Sequence, residues 1–325
     1  NTSEKMKKFN LDSKGVSKLM YNSLEQLNNT ELTEILPLKV LDAYKLMSRN
    51  KAYHQVHFPT DEDSLAKAIF RIKFEELFLI QMRLLRMKIN RNIQHKGFFF
   101  EKIDNKFQEF YEKYLPFELT GAQKKVLKEI RKDTLSGRQM NRLLQGDVGS
   151  GKTIVSLMTM LMAIDNGFQA CIMAPTEILA QQHMEGISGL VAAAGITCAI
   201  LTGSVKGKAR KQLLTALVAG EIDILIGTHA LIEDPVVFKN LGMVVIDEQH
   251  RFGVAQRAKL WKKNVMPPHM LVMTATPIPR TLAMTLYGDL DVSMIDELPP
   301  GRKPIRTNHR RENSRLEVFG FIGKE

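Results

Sequence analysis

Apolar and polar positions follow two regimes along this chain, and the change comes near Tyr114. Residues 1–113 are charged, poor in glycine and helical in pattern. Between Asp63 and Met87 apolar residues recur at helical spacing, at Leu65, Ile69, Ile72, Phe74, Leu77, Ile80, Leu84 and Leu85. The acidic run Asp61-Glu62-Asp63 just ahead of them suits the positive end of a helix. The pattern predicts an amphipathic helical extension over 1–113, packed on the main domain. Its Lys7, Lys8, Arg83, Arg86, Lys88 and Arg91 form solvated basic faces, and His54 and His57 are structural. From Leu115 onward short apolar runs alternate with longer helical ones. Strands are predicted at 142–145, 169–173, 197–201, 222–226, 243–246 and 270–273, and helices at 153–166 and 178–193. Such alternation means βαβ units and an α/β fold with a mostly parallel, doubly wound sheet, here assigned to 114–300. The Leu298-Pro299-Pro300-Gly301-Arg302-Lys303-Pro304 stretch cannot carry a helix. It reads as a linker opening a 301–325 segment too short to be a domain.

Composition narrows the class. Hydrophobic residues make up 44% of the 325 and charged residues 25%, as in an ordinary globular protein. No run of about 18 apolar residues exists, so no membrane span is expected. The first ten residues are polar and basic, unlike a secretory signal. A chain starting at Asn1 suggests a piece of a longer protein. Cys171 and Cys198 both sit in apolar, strand-like runs and read as buried free thiols of a reducing cytoplasm. The net charge of +11 favours a polyanionic partner, because neutralising phosphates releases counterions.

Four strings carry chemistry. Gly146-Asp147-Val148-Gly149-Ser150-Gly151-Lys152-Thr153 satisfies the phosphate-loop pattern, with a strand leading in and a helix leading out. Gly146, Gly149 and Gly151 let the backbone curl so that successive N–H groups, Ser150 included, face one anion at a helix N-terminus. Lys152 is expected to neutralise the β- and γ-phosphates of ATP, and Thr153 to ligate Mg²⁺. Val244-Val245-Ile246-Asp247-Glu248 ends a buried strand with two carboxylates. Asp247 is expected to hold Mg²⁺ through water and Glu248 to orient and deprotonate the attacking water. Upstream, Phe117 could stack on adenine and Gln123 read its edge, while Thr120 equally suits a helix cap; both can hold together. Downstream, Thr274 and Thr276 follow another apolar strand. They could connect the hydrolysis site to a DNA-facing loop with His250 as a partner, or simply cap a strand-to-helix turn.

Together these strings are specific. GDVGSGKT from Gly146, Ala174 to His183, Asp247 to Arg257 and Thr274 to Ala283 resemble the RecG family of superfamily 2 helicases. Leu298 to Arg302 looks like that family's connection between motor lobes. His57-Phe58-Pro59 and Phe74-Glu75-Glu76-Leu77 resemble its helical segment between wedge and motor. The resemblance implies a RecA-like lobe that binds ATP and Mg²⁺ within an ATP-dependent DNA helicase acting on branched or duplex DNA. It implies a monomer in the bacterial cytoplasm, associated with the nucleoid. It also assigns DNA-contacting or coupling roles to Pro175, Thr176, Gln182 and its neighbours Gln181 and His183, to Thr202 and Gly203, to Thr228, and to Arg280. Each such position also suits an ordinary helix cap. Lys206, Lys208, Arg210 and Lys211 are further phosphate-contact candidates beside the Thr202 turn.

In that family a wedge domain precedes the motor and a second lobe supplies arginine fingers. Residues 1–35 are too few for the wedge and nothing after Arg302 resembles the second lobe, so this chain alone is expected to hydrolyse ATP scarcely, if at all. The sister translocase that displaces RNA polymerase shares TATPIPRTL but usually carries glutamate where Gln249 stands. A nucleotide-gated DNA-binding module without motor activity is the other alternative; the intact Asp247-Glu248 pair speaks against it. A P-loop kinase or metabolic ATPase fits the basic charge and the DNA-contacting strings least.

Overall fold

A computed structural model describes residues 12–27, 32–94, 96–103, 105–248, 259–260, 263–264, 266–276, 290–297, 299 and 309–323. Gln249, His250 and Arg280 lie outside the described residues. The chain divides into two compact units with the boundary at Arg91–Asn92.

The first unit is helical: α1 (Ser13–Gln26), α2 (Leu38–Ala43), α3 (Arg49–His57) and α4 (Glu62–Gln94). Asp12 caps α1 by accepting from the Gly15 N–H at 2.7 Å. Asp61 does the same for α4 through the Ser64 N–H, also at 2.7 Å, as its acidic run implied. The unit is organised by a buried cation. Arg71 on α4 donates to Glu34 and Glu75 at 2.6 Å each and to the Met47 carbonyl at 3.0 Å. Burial alone would push the Glu34 pKa up. The Leu36 and Arg49 N–H groups, the Arg71 charge and the Ile35 N–H outweigh it and hold that pKa down. One expectation changes here. Helix α4 is apolar on more than one side, with Phe70, Leu77, Leu79, Met82, Leu85 and Met87 all exposed, so it is not a simple amphipathic stripe.

The second unit begins with α5 (Asn105–Glu109), which runs into a π-helical turn (Phe110–Tyr114), and α6 (Gly121–Thr134). It then alternates β1 (Asn141–Gly146), α7 (Lys152–Asp165), β2 (Gln169–Met173), α8 (Glu177–Val191), β3 (Cys198–Leu201), α9 (Gly207–Ala219), β4 (Ile224–Gly227), β5 (Leu241–Asp247), β6 (His269–Thr274) and β7 (Asp291–Ile295), with α10 (Arg315–Ile322) last. The seven strands form one sheet in the order β3-β4-β2-β5-β6-β1-β7, and every pairing is parallel. Six strands match the expected runs; β7 is additional.

Parallel strands covered by helices read as continuous apolar runs, and those of β2, β4 and β5 are such runs. Helix α7 packs on β1, β2 and β5, and Ile154 to Ala163 are buried throughout it. Helix α8 covers β3 and β4, and α6 covers β7. The core extends back to Phe98, Phe100 and Phe110, ahead of the pattern change at Tyr114. His269 lies inside it, its Nδ1 accepting from the Met140 N–H and its Nε2 donating to the Phe98 carbonyl. Burial pushes its pKa down to about 4. The cysteines are free, with burial raising Cys171 to about 12 and Cys198 to about 11. Among the described residues no helix is long and apolar enough to cross a membrane.

Strand β7 escaped the hydrophobic pattern for a physical reason. Ser293 points inward and Met294 outward. The inward serine accepts from Arg142 of β1 at 2.7 Å, while Arg142 also bonds Asp133 and Glu129 of α6. A buried guanidinium needs such partners, so a polar residue occupies what would otherwise be a core position.

Candidate functional site

The site is built on the carboxyl ends of β1, β5 and β6, where α/β sheets gather ligands. After Gly146 the chain turns through Gly149 (φ 75°) and Gly151 (φ 88°) into α7, and Gly151 is its N-cap. Left-handed backbone of this kind favours glycine. A Cβ at Gly151 would also strike the Gln123 amide, and one at Gly146 would lie 2.5 Å from Ser150 Oγ. Ser150 is 1% exposed, yet its hydroxyl has no hydrogen-bond partner among the described residues. A buried donor without a partner inside a glycine cradle fits a bound phosphate. Lys152 Nζ donates to the Gly146 and Asp147 carbonyls at 2.7 and 2.9 Å, which leaves one of its three N–H groups unspent. Burial pushes the Lys152 pKa down, and the charges of Asp247, Glu248 and Asp147 oppose this without reversing it.

Register brings the carboxylates to this loop. Asp247 of β5 lies level with Met273 of β6, and Gln145 of β1 lies level with Thr274. Thr274 therefore stands between the phosphate loop and the acidic pair. Its hydroxyl accepts from the Thr276 N–H at 3.2 Å, and Glu248 Oε1 accepts from the Ala275 N–H at 3.3 Å. Glu248 sits at φ 50°, a backbone region that non-glycine residues rarely adopt. Asp247 Oδ2 is 2.8 Å from His183 Nε2 of α8. Among the described residues no group of three or more His, Cys, Asp or Glu could hold a metal by itself. A divalent cation here would draw on phosphate oxygens and water, with Thr153 and Asp247 as the protein's oxygens, a donor set suited to Mg²⁺.

Of the two readings of the Gln123 region, the geometry shows the cap, and it commits both ends of the Gln123 amide within the protein. Thr120 and Gln123 form a capping box, with Gln123 Oε1 accepting from the Thr120 N–H and Thr120 Oγ1 accepting from the Gln123 N–H. The amide's other end donates to the Ser150 carbonyl at 2.8 Å, tying α6 to the phosphate loop. Phe117, expected to stack on adenine, is 43% exposed. Sequence reasoning missed Glu297, just past β7, which accepts from the Ala122 N–H at 2.8 Å in the first turn of α6. Nothing local signals a contact across 175 positions.

The turns expected to meet DNA also end strands of this sheet. Thr176 caps α8, accepting from the Leu179 N–H, and the half-buried Pro175 precedes it. An open groove of about 470 Å³ is lined by Gln182, Thr202 and Ser204 among others, and also by Glu177 and Glu185. Thr202 and Ser204 share a 2.6 Å hydrogen bond, while Gly203 lies against the Glu177 carboxylate. Thr228 is buried and its hydroxyl lacks a partner among the described residues. Of the basic cluster, Arg210 is committed to Glu233 at 2.6 Å.

Comparison with known proteins agrees with this geometry. Residues 120–285 match the DEAD/DEAH box helicase family. The chain is 48% identical over 308 residues to the ATP-dependent DNA helicase RecG of Streptococcus pneumoniae, covering 95% of this chain and 45% of that protein. It is 45% identical over 318 residues to RecG of Bacillus subtilis, covering 98% and 46%. A solved structure of RecG bound to a three-way DNA junction superposes with a TM-score of 0.80 at 41% identity, over 96% of this chain and 41% of that one. The chain thus spans less than half the length of these relatives.

Proposed function

Because the chain belongs to the DEAD/DEAH box helicase family, in its RecG branch, we propose that it is the ATP-binding motor lobe of an ATP-dependent DNA helicase that remodels branched DNA. The observation that carries this reading is the meeting of the phosphate loop on β1 with Asp247 and Glu248 on β5, across Thr274 of β6. A nucleotide switch needs only the loop; a hydrolase also needs a carboxylate to take a proton from water. Loop N–H groups, the α7 N-terminus and Lys152 hold the ATP phosphates. Mg²⁺ would be held by Thr153 and, through water, by Asp247, and would neutralise charge on the phosphate oxygens. Glu248 accepts the proton of the attacking water. Thr274 and Thr276 flank Ala275, whose N–H donates to that carboxylate, and couple hydrolysis to DNA; Pro175, Thr176, Gln182, Thr202, Gly203 and Thr228 meet the DNA backbone. These hydroxyls and N–H groups bind phosphates without reading sequence, as a motor moving along any duplex requires. The working protein is a monomer of the bacterial cytoplasm.

The test is DNA-stimulated ATP hydrolysis by the complete gene product. Lys152→Ala and Glu248→Gln should each abolish turnover, while Glu248→Gln keeps nucleotide binding. Retained turnover in either variant refutes the assigned roles.

A further inference from the structure

Helix α8 buries Ala180, Ile187 and Val191 against β3 and β4. His183 falls on the same stripe, three residues after Ala180 and four before Ile187, at helical spacing. A polar ring in an apolar stripe needs a partner, and this one has Asp247 Oδ2 at 2.8 Å, with the two side chains only 10% and 14% exposed. An ionised carboxylate can only accept, so Nε2 carries the hydrogen. The bond reaches across 64 positions and fixes one Asp247 oxygen, which sets the direction in which the other faces. Asp247 is otherwise the last residue of a strand, followed by a residue in the left-handed region, so its side chain gains its orientation from this contact.

We propose that His183 is a positioning residue for the metal–nucleotide site: it holds Asp247 in the rotamer that receives Mg²⁺, and so tethers α8 to the hydrolysis centre. The inference rests on the ATP and Mg²⁺ reading above. Partners that orient a metal-binding side chain commonly change metal affinity by about 10- to 100-fold when removed. Asp247 acts through water, so the lower end applies.

The experiment measures binding of N-methylanthraniloyl-ATP to the complete gene product by fluorescence, as a function of Mg²⁺ and also in EDTA. Two variants separate packing from hydrogen bonding. His183→Leu fills the stripe without a donor, and His183→Gln places an N–H close to the position of Nε2. The expected result is a roughly tenfold higher Mg²⁺ half-saturation in H183L, with unchanged affinity in EDTA and H183Q within about threefold of the parent. An unchanged Mg²⁺ half-saturation in H183L overturns the proposal. So does an equal loss in H183L and H183Q, or a loss in EDTA as large as that in Mg²⁺, since each means packing alone. If the unsubstituted protein shows no Mg²⁺-dependent nucleotide binding, the underlying ATP reading fails first, which is a different outcome.

Discussion

Gln123 offers a test that separates two jobs of one side chain. It is 1% exposed, and its amide accepts from Thr120 at the start of α6 and donates to the Ser150 carbonyl in the phosphate loop. Gln123→Ala removes both bonds and strands a backbone N–H and a backbone carbonyl. At about 0.5–1.5 kcal/mol each, the loss is about 1–3 kcal/mol, a Tm drop of roughly 3–8 °C for a unit of this size. Gln123→Glu is more selective. Its carboxylate still closes the capping box, since glutamate serves there as well as glutamine, but it turns an oxygen towards the Ser150 carbonyl. The cap survives and the loop contact becomes repulsive. Losing about 1 kcal/mol of loop anchoring weakens nucleotide binding about fivefold. The assay is calorimetric titration with ATP and with tripolyphosphate, beside thermal melts. If Gln123 acts through the loop, Q123E weakens both ligands alike, and a buried carboxylate facing a carbonyl lowers Tm as well. A loss confined to ATP means the amide reads the base. Unchanged affinity for both ligands refutes the loop link.

Two further outcomes follow from buried charge. The His269 pKa is depressed from 6.5 to about 4, so the stability tied to its neutral form is present above pH 6.5 and lost as pH falls towards 4, up to roughly 3 kcal/mol. In urea unfolding, His269→Gln should flatten the stability–pH curve between those values; a parallel curve refutes the assignment. Arg71→Met leaves Glu34 and Glu75 without their shared cation in a site where Arg71 is 1% exposed. Glu34 keeps its backbone donors and Glu75 keeps Arg49 at 3.4 Å, so the cost should sit near about 3 kcal/mol, the low end for a broken buried pair. A change below about 1 kcal/mol in the urea midpoint analysis would show the cluster to be dispensable.

Whatever depends on neighbours along the chain was readable from the residues in order. Strands such as β2, β4 and β5 were legible because a strand buried on both faces reads as a short continuous apolar run. The phosphate loop was legible because its chemistry is contiguous: glycines, lysine and threonine must follow one another for consecutive N–H groups to converge. The Asp61 cap and the Thr120 cap were legible for the same reason. Tertiary structure alone decided the rest, where partners lie far apart along the chain. The inward Ser293 of β7 makes sense only beside Arg142, Glu297 only against the first turn of α6, and the double commitment of Gln123 only when Ser150 arrives at its other side. His183 lies in a segment that the resemblance assigned to DNA contact or to support of the neighbouring loop. The fold turns its ring inward, because parallel pairing sets β5 beside β2 and delivers Asp247 to the level at which α8 passes. Register and crossover are properties of the assembled sheet, and no window of the sequence contains them.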